Sequence, residues 1–242
     1  MRDRVTNNMK YRRILLKLSG ESLAGKGGQG LDADVLGAYA KEINEVCAKG
    51  VQVAIVVGGG NIFRGLAGEG KGFDRVKGDQ MGMLATVINS IALSCALRSK
   101  GLEAEVFSAT PMESVAHYWV RDHAIKLLER GAVVLIAGGT GNPFFTTDTA
   151  AALRAVEIGA SALCKGTRVD GIYSADPEKD PTAKKFNRIS FNEALEKNLK
   201  IMDMTAFTLC KENRMPIVVF DMNRPGNLLR LVEGEPLGTE LF

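Results

Sequence analysis

Short apolar runs alternate with amphipathic segments along most of this 242-residue chain. The apolar runs are typical of β-strands buried on both faces, and the amphipathic segments have helical spacing. Strands are predicted near residues 14–18, 51–57, 104–108, 133–137, 162–165 and 217–220, with a last edge strand at 238–242. Helices are predicted near 32–50, 79–100, 121–130, 149–159, 204–213 and 227–232, and another begins at 190. This alternation predicts an α/β protein whose mainly parallel sheet is covered on both sides.

Loops that carry glycine and charged side chains follow four of these strands, at residues 17–20, 58–64, 138–148 and 165–166. Ligands of parallel sheets bind outside the carboxyl ends of the strands, so these loops are expected to converge on one site. Together they hold Lys17, Arg64, Asp148 and Lys165. Three cations and one acid favour a charge-rich substrate, and phosphoryl transfer needs cations around the transferring group.

The loop 138–148 joins a predicted buried strand to a predicted helix. A glycine-rich turn in this position offers backbone N–H groups and a helix amino terminus to an anion. Phe144 and Phe145 favour a flat, partly apolar ligand, while threonines and Asp148 add hydrogen bonds and charge. A phosphorylated ring compound fits these features. The alternative is a tight structural turn whose two phenylalanines belong to the core.

Composition argues against several other classes of protein. The net charge of +3 is too small and too evenly spread for a nucleic-acid-binding protein. The four cysteines lie far apart in apolar contexts, as free thiols in a reducing compartment do, and two histidines are too few for a structural zinc site. No metal ligands are assigned. No apolar run approaches membrane-spanning length and no signal peptide is recognised, so a cytoplasmic protein without a membrane partner is expected.

Two glycine-rich segments approach nucleotide-binding motifs without matching them. Residues 20–27 have glycine where a P-loop has its magnesium-binding Ser or Thr, and the next helix begins too late. Residues 25–30 have dinucleotide-binding spacing but do not join a strand directly to a helix, and the second strand ends in glycines instead of an acid. Residues 25–30 are therefore expected to form a mobile surface loop near an acceptor or regulatory site.

Five motifs occur together in an order that is specific to one known family. They lie at residues 17–20 (KLSG), 58–65 (GGGNIFRG), 78–86 (GDQMGMLAT), 140–148 (TGNPFFTTD) and 169–177 (VDGIYSADP). Over about residues 11–242 the chain resembles the amino-acid kinase superfamily and, within it, the bacterial uridylate kinases. The resemblance implies a three-layer α/β/α sandwich around a mainly parallel sheet, formed by one domain at 11–242 behind a flexible tail at 1–10. An acceptor-binding half would span about 11–160 and an ATP-binding half about 161–242.

The resemblance also implies a reaction, ATP + UMP → ADP + UDP, which is a step of pyrimidine nucleotide biosynthesis. The phosphoryl donor would be Mg-ATP, with Mg²⁺ held mainly through phosphates. A homo-hexamer, activation by GTP and inhibition by UTP are implied as well. The family's GTP contacts come from the helix near 90–105 and neighbouring subunits, and residues 25–30 correspond to a loop tied to activation. Glu105 stands where some relatives carry a basic residue.

The matching motifs imply roles for individual residues. Lys17 would bridge the donor and acceptor phosphates, Lys165 would stabilise the β–γ leaving oxygens of ATP, and Asp148 would orient both lysines. The positions that match UMP contacts are Gly59, Arg64, Asp79, Thr140, Gly141, Asn142, Pro143, Phe144, Phe145, Thr146 and Thr147. The positions that match ATP contacts are Lys17, Leu18, Ser19, Gly20, Gly60, Arg64, Thr167, Tyr173 and Asp176.

Simpler explanations stay open for several of these residues. Asp148 is also suited to the first turn of a helix, Asp79 to helix capping, and Tyr173 to packing. Two other functions stay open too: a kinase of the same superfamily acting on a carboxylate, carbamate or phosphonate-like acceptor, and a non-catalytic nucleotide sensor or storage shell. Asp79 favours a ribonucleotide because a small acid needs no ribose acceptor. The presence of both Lys17 and Lys165 favours catalysis.

Overall fold

The computed structural model describes residues 9–63, 74–175, 177, 179–180 and 182–242 of the chain. Most of the predicted tail therefore lies outside the described residues. At Lys10 the chain already contacts the folded body, because its N–H donates to the carbonyl of Val232 at 2.8 Å.

The described residues form a nine-stranded sheet, a separate two-stranded hairpin and seven α-helices. The strands are β1 (Arg13–Leu18), β2 (Gln52–Val57), β3 (Ala104–Ser108), β4 (His117–Tyr118), β5 (Val133–Ala137), β6 (Ala162–Thr167), β7 (Ile172–Tyr173), β8 (Lys185–Phe186), β9 (Arg188–Ile189), β10 (Ile217–Asp221) and β11 (Thr239–Leu241). The helices are α1 (Ala33–Ala48), α2 (Arg75–Ser99), α3 (Arg121–Glu129), α4 (Thr147–Glu157), α5 (Phe191–Glu196), α6 (Met204–Glu212) and α7 (Asn227–Val232). The sheet order is β4-β3-β5-β2-β1-β6-β10-β11-β9, and every neighbouring pair is parallel except β10 and β11. The hairpin pairs β7 with β8.

Side chains of the central strands alternate between two hydrophobic cores. In β1, Ile14 and Leu16 lie in the core beneath α1, α2 and α7, whereas Leu15 lies in the core beneath α3, α4, α5 and α6. All three side chains are fully buried. Burial on both faces explains why the strands are continuous apolar runs, since neither face meets water. The expected α/β/α sandwich is confirmed.

Capping side chains set where two of the helices begin. Ser190 accepts a hydrogen bond from the N–H of Glu193 at 3.1 Å, so α5 starts where its capping box predicts. Helix α2 begins earlier than predicted, at Arg75 instead of near residue 79. The reason is Asp74, whose Oδ1 accepts from the N–H of Lys77 at 3.0 Å and caps the helix.

The shortest strands are the elements that the sequence pattern does not predict. Strands β4, β7, β8 and β9 have two residues each, which is too few for any periodicity to be recognised. The prediction of an edge strand at 238–242 is wrong in one respect. Strand β11 lies between β10 and β9, so β9 forms the edge.

Helix α2 is, among the described residues, long and apolar enough by composition to cross a membrane. By that measure the expectation of no such segment is wrong. One helix of this kind is weak evidence for a membrane, because helices that cover the sheet of a globular protein have the same length and composition. Here α2 packs against α1, β2, β3 and β5, which is the position of a sheet-covering helix.

Candidate active site

Two lysines from neighbouring strands meet one carboxylate at the carboxyl edge of the sheet. Lys17 of β1 and Lys165 of β6 are register partners, so their side chains point to the same face. Lys17 Nζ lies 2.9 Å from Oδ1 of Asp148, and Lys165 Nζ lies 2.7 Å from Oδ2. The structure thus brings together three of the four charged residues that were expected to converge. The fourth, Arg64, lies outside the described residues.

This lysine–aspartate cluster (Lys17, Asp148 and Lys165) is largely shielded from solvent, with side chains 14%, 15% and 14% exposed. Burial by itself raises the pKa of Asp148, but the charges of Lys17 and Lys165 outweigh it and hold the pKa below its ordinary value. Burial lowers the pKa of Lys165; the nearby Asp148 opposes this shift, and Lys17 adds to it. The cluster therefore holds an ionised carboxylate between two ammonium groups, one of which loses its proton more readily than an ordinary lysine.

The amino terminus of α4 places Asp148 in this position. Thr146 caps the helix, and its hydroxyl accepts from the N–H groups of Asp148 at 3.1 Å and Thr149 at 3.4 Å. Asp148 therefore lies in the first helical turn, where the helix dipole favours a negative charge. Asp148 can be both a first-turn acid of α4 and the partner of two lysines, because the amino terminus of α4 points at the edge of the sheet.

Asp203, which the sequence patterns do not single out, ties α6 to the same helix end. Its carboxylate accepts from the hydroxyl of Thr146 at 2.5 Å and from that of Thr149 at 2.9 and 3.0 Å, and it also caps α6 by accepting from Ala206 N–H at 2.9 Å. Two residues earlier, the carbonyl of Ile201 accepts from Lys165 Nζ at 2.6 Å. The segment before α6 therefore positions both the capping threonine and one lysine of the cluster.

A cavity of about 400 Å³, the α2 cavity, lies between α2 and the loop 138–147. It is lined by Gly59, Asp79, Thr140, Asn142, Phe145, Thr146 and Thr147 of the residues expected to contact UMP, and by Gly60. Gly141, Pro143 and Phe144 belong to the same loop but are not among its lining residues. Thr86, Met83 and Arg75 of α2 also line it and were not predicted. Thr86 supports the loop, because its hydroxyl accepts from Gly138 N–H at 2.8 Å.

Asp79 does not cap α2, since that position belongs to Asp74. It lies one turn into the helix and pairs with Arg75, whose Nε is 3.0 and 2.9 Å from the two carboxylate oxygens. Asp79 Oδ2 also accepts from the N–H of Phe144 at 2.7 Å. The capping alternative is therefore wrong, and the carboxylate instead joins α2 to the loop.

A second cavity of about 580 Å³, the hairpin cavity, lies beside β7. Thr167 and Tyr173, two of the residues expected to contact ATP, line it together with Lys165 and the segment 197–201. The hydroxyl of Tyr173 donates to Asp170 at 2.7 Å, so this ring is held in place by more than packing. Asp176 lies outside the described residues.

A central gap of about 320 Å³ lies between these two cavities. Lys17, Asp148, Asp203 and Ser19 line it, as do Gly20 and Gly60. The gap shares Gly59, Gly60, Thr146 and Thr147 with the α2 cavity, and Lys165 of the hairpin cavity contacts Asp148 on its wall. Leu18 was also expected to contact ATP, but it is not among the residues that line the gap, and its side chain is fully buried in the core.

The turn 58–60 needs glycine because it packs directly against α2. A Cβ on Gly59 would lie 2.7 Å from the carbonyl oxygen of Gly82 and 2.8 Å from Cβ of Ala85. A side chain at this position would force the turn away from the helix, and both the α2 cavity and the central gap would change shape.

A buried asparagine pair holds the same turn from behind. Asn89 of α2 donates to the carbonyl of Gly58 at 2.6 Å and to Oδ1 of Asn61 at 2.7 Å, and Asn61 donates back to Oδ1 of Asn89 at 3.0 Å. Asn61 also donates to the carbonyl of Gly30 at 2.6 Å and accepts from Gly30 N–H at its own carbonyl at 3.0 Å. The loop 25–30 is therefore attached to the active-site turn at its carboxyl end.

Glu105 lies in a separate cavity of about 250 Å³ near the carboxyl end of α2. It accepts from Arg98 Nη2 at 3.0 Å and lies 3.3 Å from Nε2 of His117. The acidic side chain at this position is therefore engaged by neighbouring basic groups.

Comparisons with known proteins agree with this architecture. Residues 12–221 match the model of the amino acid kinase family. A protein of Porphyromonas gingivalis named uridylate kinase is 60% identical over 229 residues, which cover 95% of this chain and 96% of that protein. A uridylate kinase of Bacteroides thetaiotaomicron is 59% identical over 230 residues, covering 95% and 98%.

Solved structures show the same relationship in three dimensions. The crystal structure of UMP kinase from Bacillus anthracis matches with a TM-score of 0.93 at 37% identity and covers 96% of both chains. That of UMP kinase from Ureaplasma parvum matches with a TM-score of 0.91 at 37% identity, covering 96% of this chain and 99% of the other. The chain belongs to the amino acid kinase family and, within it, to the uridylate kinases.

Proposed function

We propose that this protein is a UMP kinase, which transfers the γ-phosphoryl group of ATP to UMP and releases UDP and ADP. The observation that carries the proposal is the lysine–aspartate cluster at the central gap, with Lys17 and Lys165 paired to the same carboxylate at 2.9 and 2.7 Å. The relatives named uridylate kinase support the same activity.

We assign UMP to the α2 cavity and ATP to the hairpin cavity. The α2 cavity offers the carboxylate of Asp79, threonine hydroxyls and the ring of Phe145, which suit a ribose, a phosphate and a flat base. The hairpin cavity is larger, and its lining residues include Lys165, which contacts Asp148 of the central gap. With the nucleotides in these positions, their phosphates meet in the central gap.

The cluster would act on charge that develops during transfer. The transferring group passes through a loose transition state whose charge is spread over its oxygens, so catalysis consists mainly of positioning and electrostatic stabilisation. Lys17 lines the central gap and would contact the phosphates of both nucleotides, whereas Lys165 would neutralise the leaving oxygens of ATP. Because these interactions strengthen in the transition state, losing either lysine should lower turnover more than binding.

Asp148 would act as an orienting group and not as a base. The attacking atom is an oxygen of the UMP phosphate, whose second pKa is about 6 for a phosphate monoester, so it is largely ionised at neutral pH. Asp148 also has a pKa below its ordinary value, and both of its oxygens contact ammonium groups. The carboxylate therefore holds the two lysines at the separation that transfer requires.

We propose that the donor is Mg-ATP and that Mg²⁺ is bound mainly through the phosphates. The described residues group no three His, Cys, Asp or Glu side chains in a way that could hold a metal ion. Magnesium bound to ATP would neutralise charge on the β- and γ-phosphates. Each oxygen of Asp148 already contacts a lysine ammonium group, so we assign this carboxylate no metal contact.

One assay separates UMP kinase from the two alternatives. ADP release, measured by a coupled assay, is followed with UMP, CMP, carbamate and acetylglutamate offered in turn. Activity that prefers UMP supports the proposal, whereas preference for a small acid would assign the chain to another kinase of the superfamily. Folded protein without activity towards any acceptor would instead indicate a nucleotide sensor or storage protein.

We further propose a cytoplasmic homo-oligomer, a hexamer by resemblance, that is activated by GTP and inhibited by UTP. Exposed apolar side chains on α2, including Leu84 and Ile88, support contact between subunits. The free cysteines support a reducing compartment. The mass in solution tests the hexamer, and initial rates with added GTP or UTP test the regulation. The contacts of Glu105 with Arg98 and His117 lead us to expect weak activation by GTP.

A further inference from the structure

Arg75 lines the α2 cavity and has no part in the proposed mechanism, yet it contacts two residues of the proposed UMP site. Its Nε lies 3.0 and 2.9 Å from the oxygens of Asp79, and its Cζ lies 5.4 Å from the centre of the Phe144 ring. Asp79 and Phe144 also contact each other, because the N–H of Phe144 donates to Asp79 Oδ2 at 2.7 Å. We call these three residues the Arg75 cluster.

The burial of Asp79 makes it depend on Arg75. The Asp79 side chain is 14% exposed and that of Arg75 is 31% exposed. A carboxylate at this depth needs a counter-charge, and losing the partner of a buried ion pair leaves an uncompensated charge that must move towards water. Such a movement would also remove the acceptor of the Phe144 N–H.

The backbone of Phe144 needs that hydrogen bond. Phe144 has a φ of 71°, in the left-handed region that residues other than glycine adopt at a cost. Phe144 is 64% exposed, so packing in a core does not hold this conformation. The hydrogen bond to Asp79 and the guanidinium against the ring are contacts that hold it, and both depend on Arg75.

We propose that Arg75 is a positioning residue of the acceptor site. It orients the Asp79 carboxylate and, through Phe144, holds the loop 140–146 as the wall of the α2 cavity before the acceptor arrives. This proposal rests on the proposed UMP kinase function and adds to it a residue that prepares the acceptor site for UMP. Since Arg75 is not among the residues that line the central gap, its loss should weaken UMP binding and leave the transfer step intact.

The test compares Arg75→Gln with Arg75→Lys and with the control Lys77→Gln. Lys77 lies on the same helix, is exposed, and bonds through its Nζ to Gln80 at 3.2 Å. We expect Arg75→Gln to raise KM for UMP about tenfold, with kcat and KM for ATP changed by less than about twofold. Arg75→Lys should recover part of the loss, because an ammonium group supplies the charge without the planar fork. Lys77→Gln should behave as the wild type.

A double-mutant cycle tests whether Arg75 acts through the loop. Phe144→Ala should itself raise KM for UMP. Since both changes release the same wall, KM for UMP in the double variant with Arg75→Gln should exceed that of the single variant with the higher KM by less than about twofold. Effects that multiply would show that the two residues act independently and would overturn the inference.

The outcomes distinguish this inference from the proposed function. If the folded wild-type protein does not phosphorylate UMP, the proposed function fails and the inference fails with it. If the wild type is active and Arg75→Gln leaves KM for UMP unchanged, or lowers kcat alone, only the inference fails. Circular dichroism confirms folding, and Arg75→Lys carries the test if Arg75→Gln does not fold.

Discussion

Replacing Asp148 with Asn tests the central contact of the proposed mechanism. The change removes the charge that lies 2.9 Å from Lys17 Nζ and 2.7 Å from Lys165 Nζ but keeps the size of the side chain. Neighbouring parallel strands are about 5 Å apart. Two like charges at that separation repel each other by about 3 kcal/mol at an effective dielectric constant of about 20. The ammonium groups will move apart and relieve part of this repulsion, which misplaces them for catalysis.

A residual cost of about 1.4 kcal/mol or more in the transition state corresponds to a tenfold or larger loss of kcat. UMP should still bind, because Asp148 is not among the residues that line the α2 cavity. The alkaline limb of the kcat profile should also move to lower pH. Asp148 raises the pKa of Lys165, so its removal lets the ammonium lose its proton earlier as the pH rises.

The assay is coupled ADP release over a range of UMP concentrations and pH, with calorimetry to measure UMP binding. Asp34→Asn is a matched control, because Asp34 occupies the same position in the first turn of α1 and is exposed. Unchanged kcat in Asp148→Asn would refute the orienting role. Loss of UMP binding with unchanged kcat at saturation would place Asp148 in the acceptor site instead.

Three further predictions concern the lysine–aspartate cluster and the buried asparagine pair. Lys165→Met should lower kcat at least about 100-fold, as loss of one transition-state contact does, while calorimetry shows unchanged UMP binding. Asn89→Leu should lower the free energy of unfolding in urea by about 2–4 kcal/mol, because it leaves the buried carbonyl of Gly58 and the side chain of Asn61 without their partner. The lowered pKa of Asp148 should stabilise the fold above about pH 4, the ordinary range of the carboxyl, and this contribution is lost as the pH falls through the lowered value. The urea midpoint of the wild type should therefore fall more steeply than that of Asp148→Asn as the pH drops below about 4.

Controls for these predictions come from the same chain. Cys95→Ser changes an exposed residue of α2 and should leave the unfolding energy unchanged. Equal stability of Asn89→Leu and Cys95→Ser would show that the buried amide pair contributes nothing. Parallel acid curves for the wild type and Asp148→Asn would contradict the pH prediction, and weakened UMP binding in Lys165→Met would contradict the separation of the two cavities.

Much of the central architecture could be predicted because it follows from local patterns and one topological rule. Continuous apolar runs indicate strands that are buried on both faces, and parallel strands present their carboxyl ends at one edge. That rule is sufficient to bring Lys17, Asp148 and Lys165 together, although they lie far apart in the sequence. A lysine inside a run of leucines, as in β1, indicates an ammonium group that emerges at an anionic site.

The residues that were missed take their importance from partners that no local pattern reveals. Asp203 is an ordinary helix cap by sequence, and its bonds to Thr146 and Thr149 exist only because α6 packs against α4. Asn89 lies on a helix and gains its role from the turn that it supports. One local signal could have predicted the pairing of Arg75 with Asp79: the two residues are four positions apart, and opposite charges at this spacing interact on a helix. The start of α2 at Asp74 would have had to be recognised first.

The pairing of Lys17 with Lys165 across β1 and β6 lies at the middle of the nine-stranded sheet. The main-chain hydrogen bonds between these strands consequently fix the spacing of the two backbone positions from which the lysines extend, and Asp148 positions the charges at their ends. The surrounding loops can lengthen, shorten or exchange side chains, and so accommodate a different recipient molecule, without altering that spacing. A change of acceptor would therefore require changes in the loops around the sheet and none in the two strands that carry the proposed catalytic lysines.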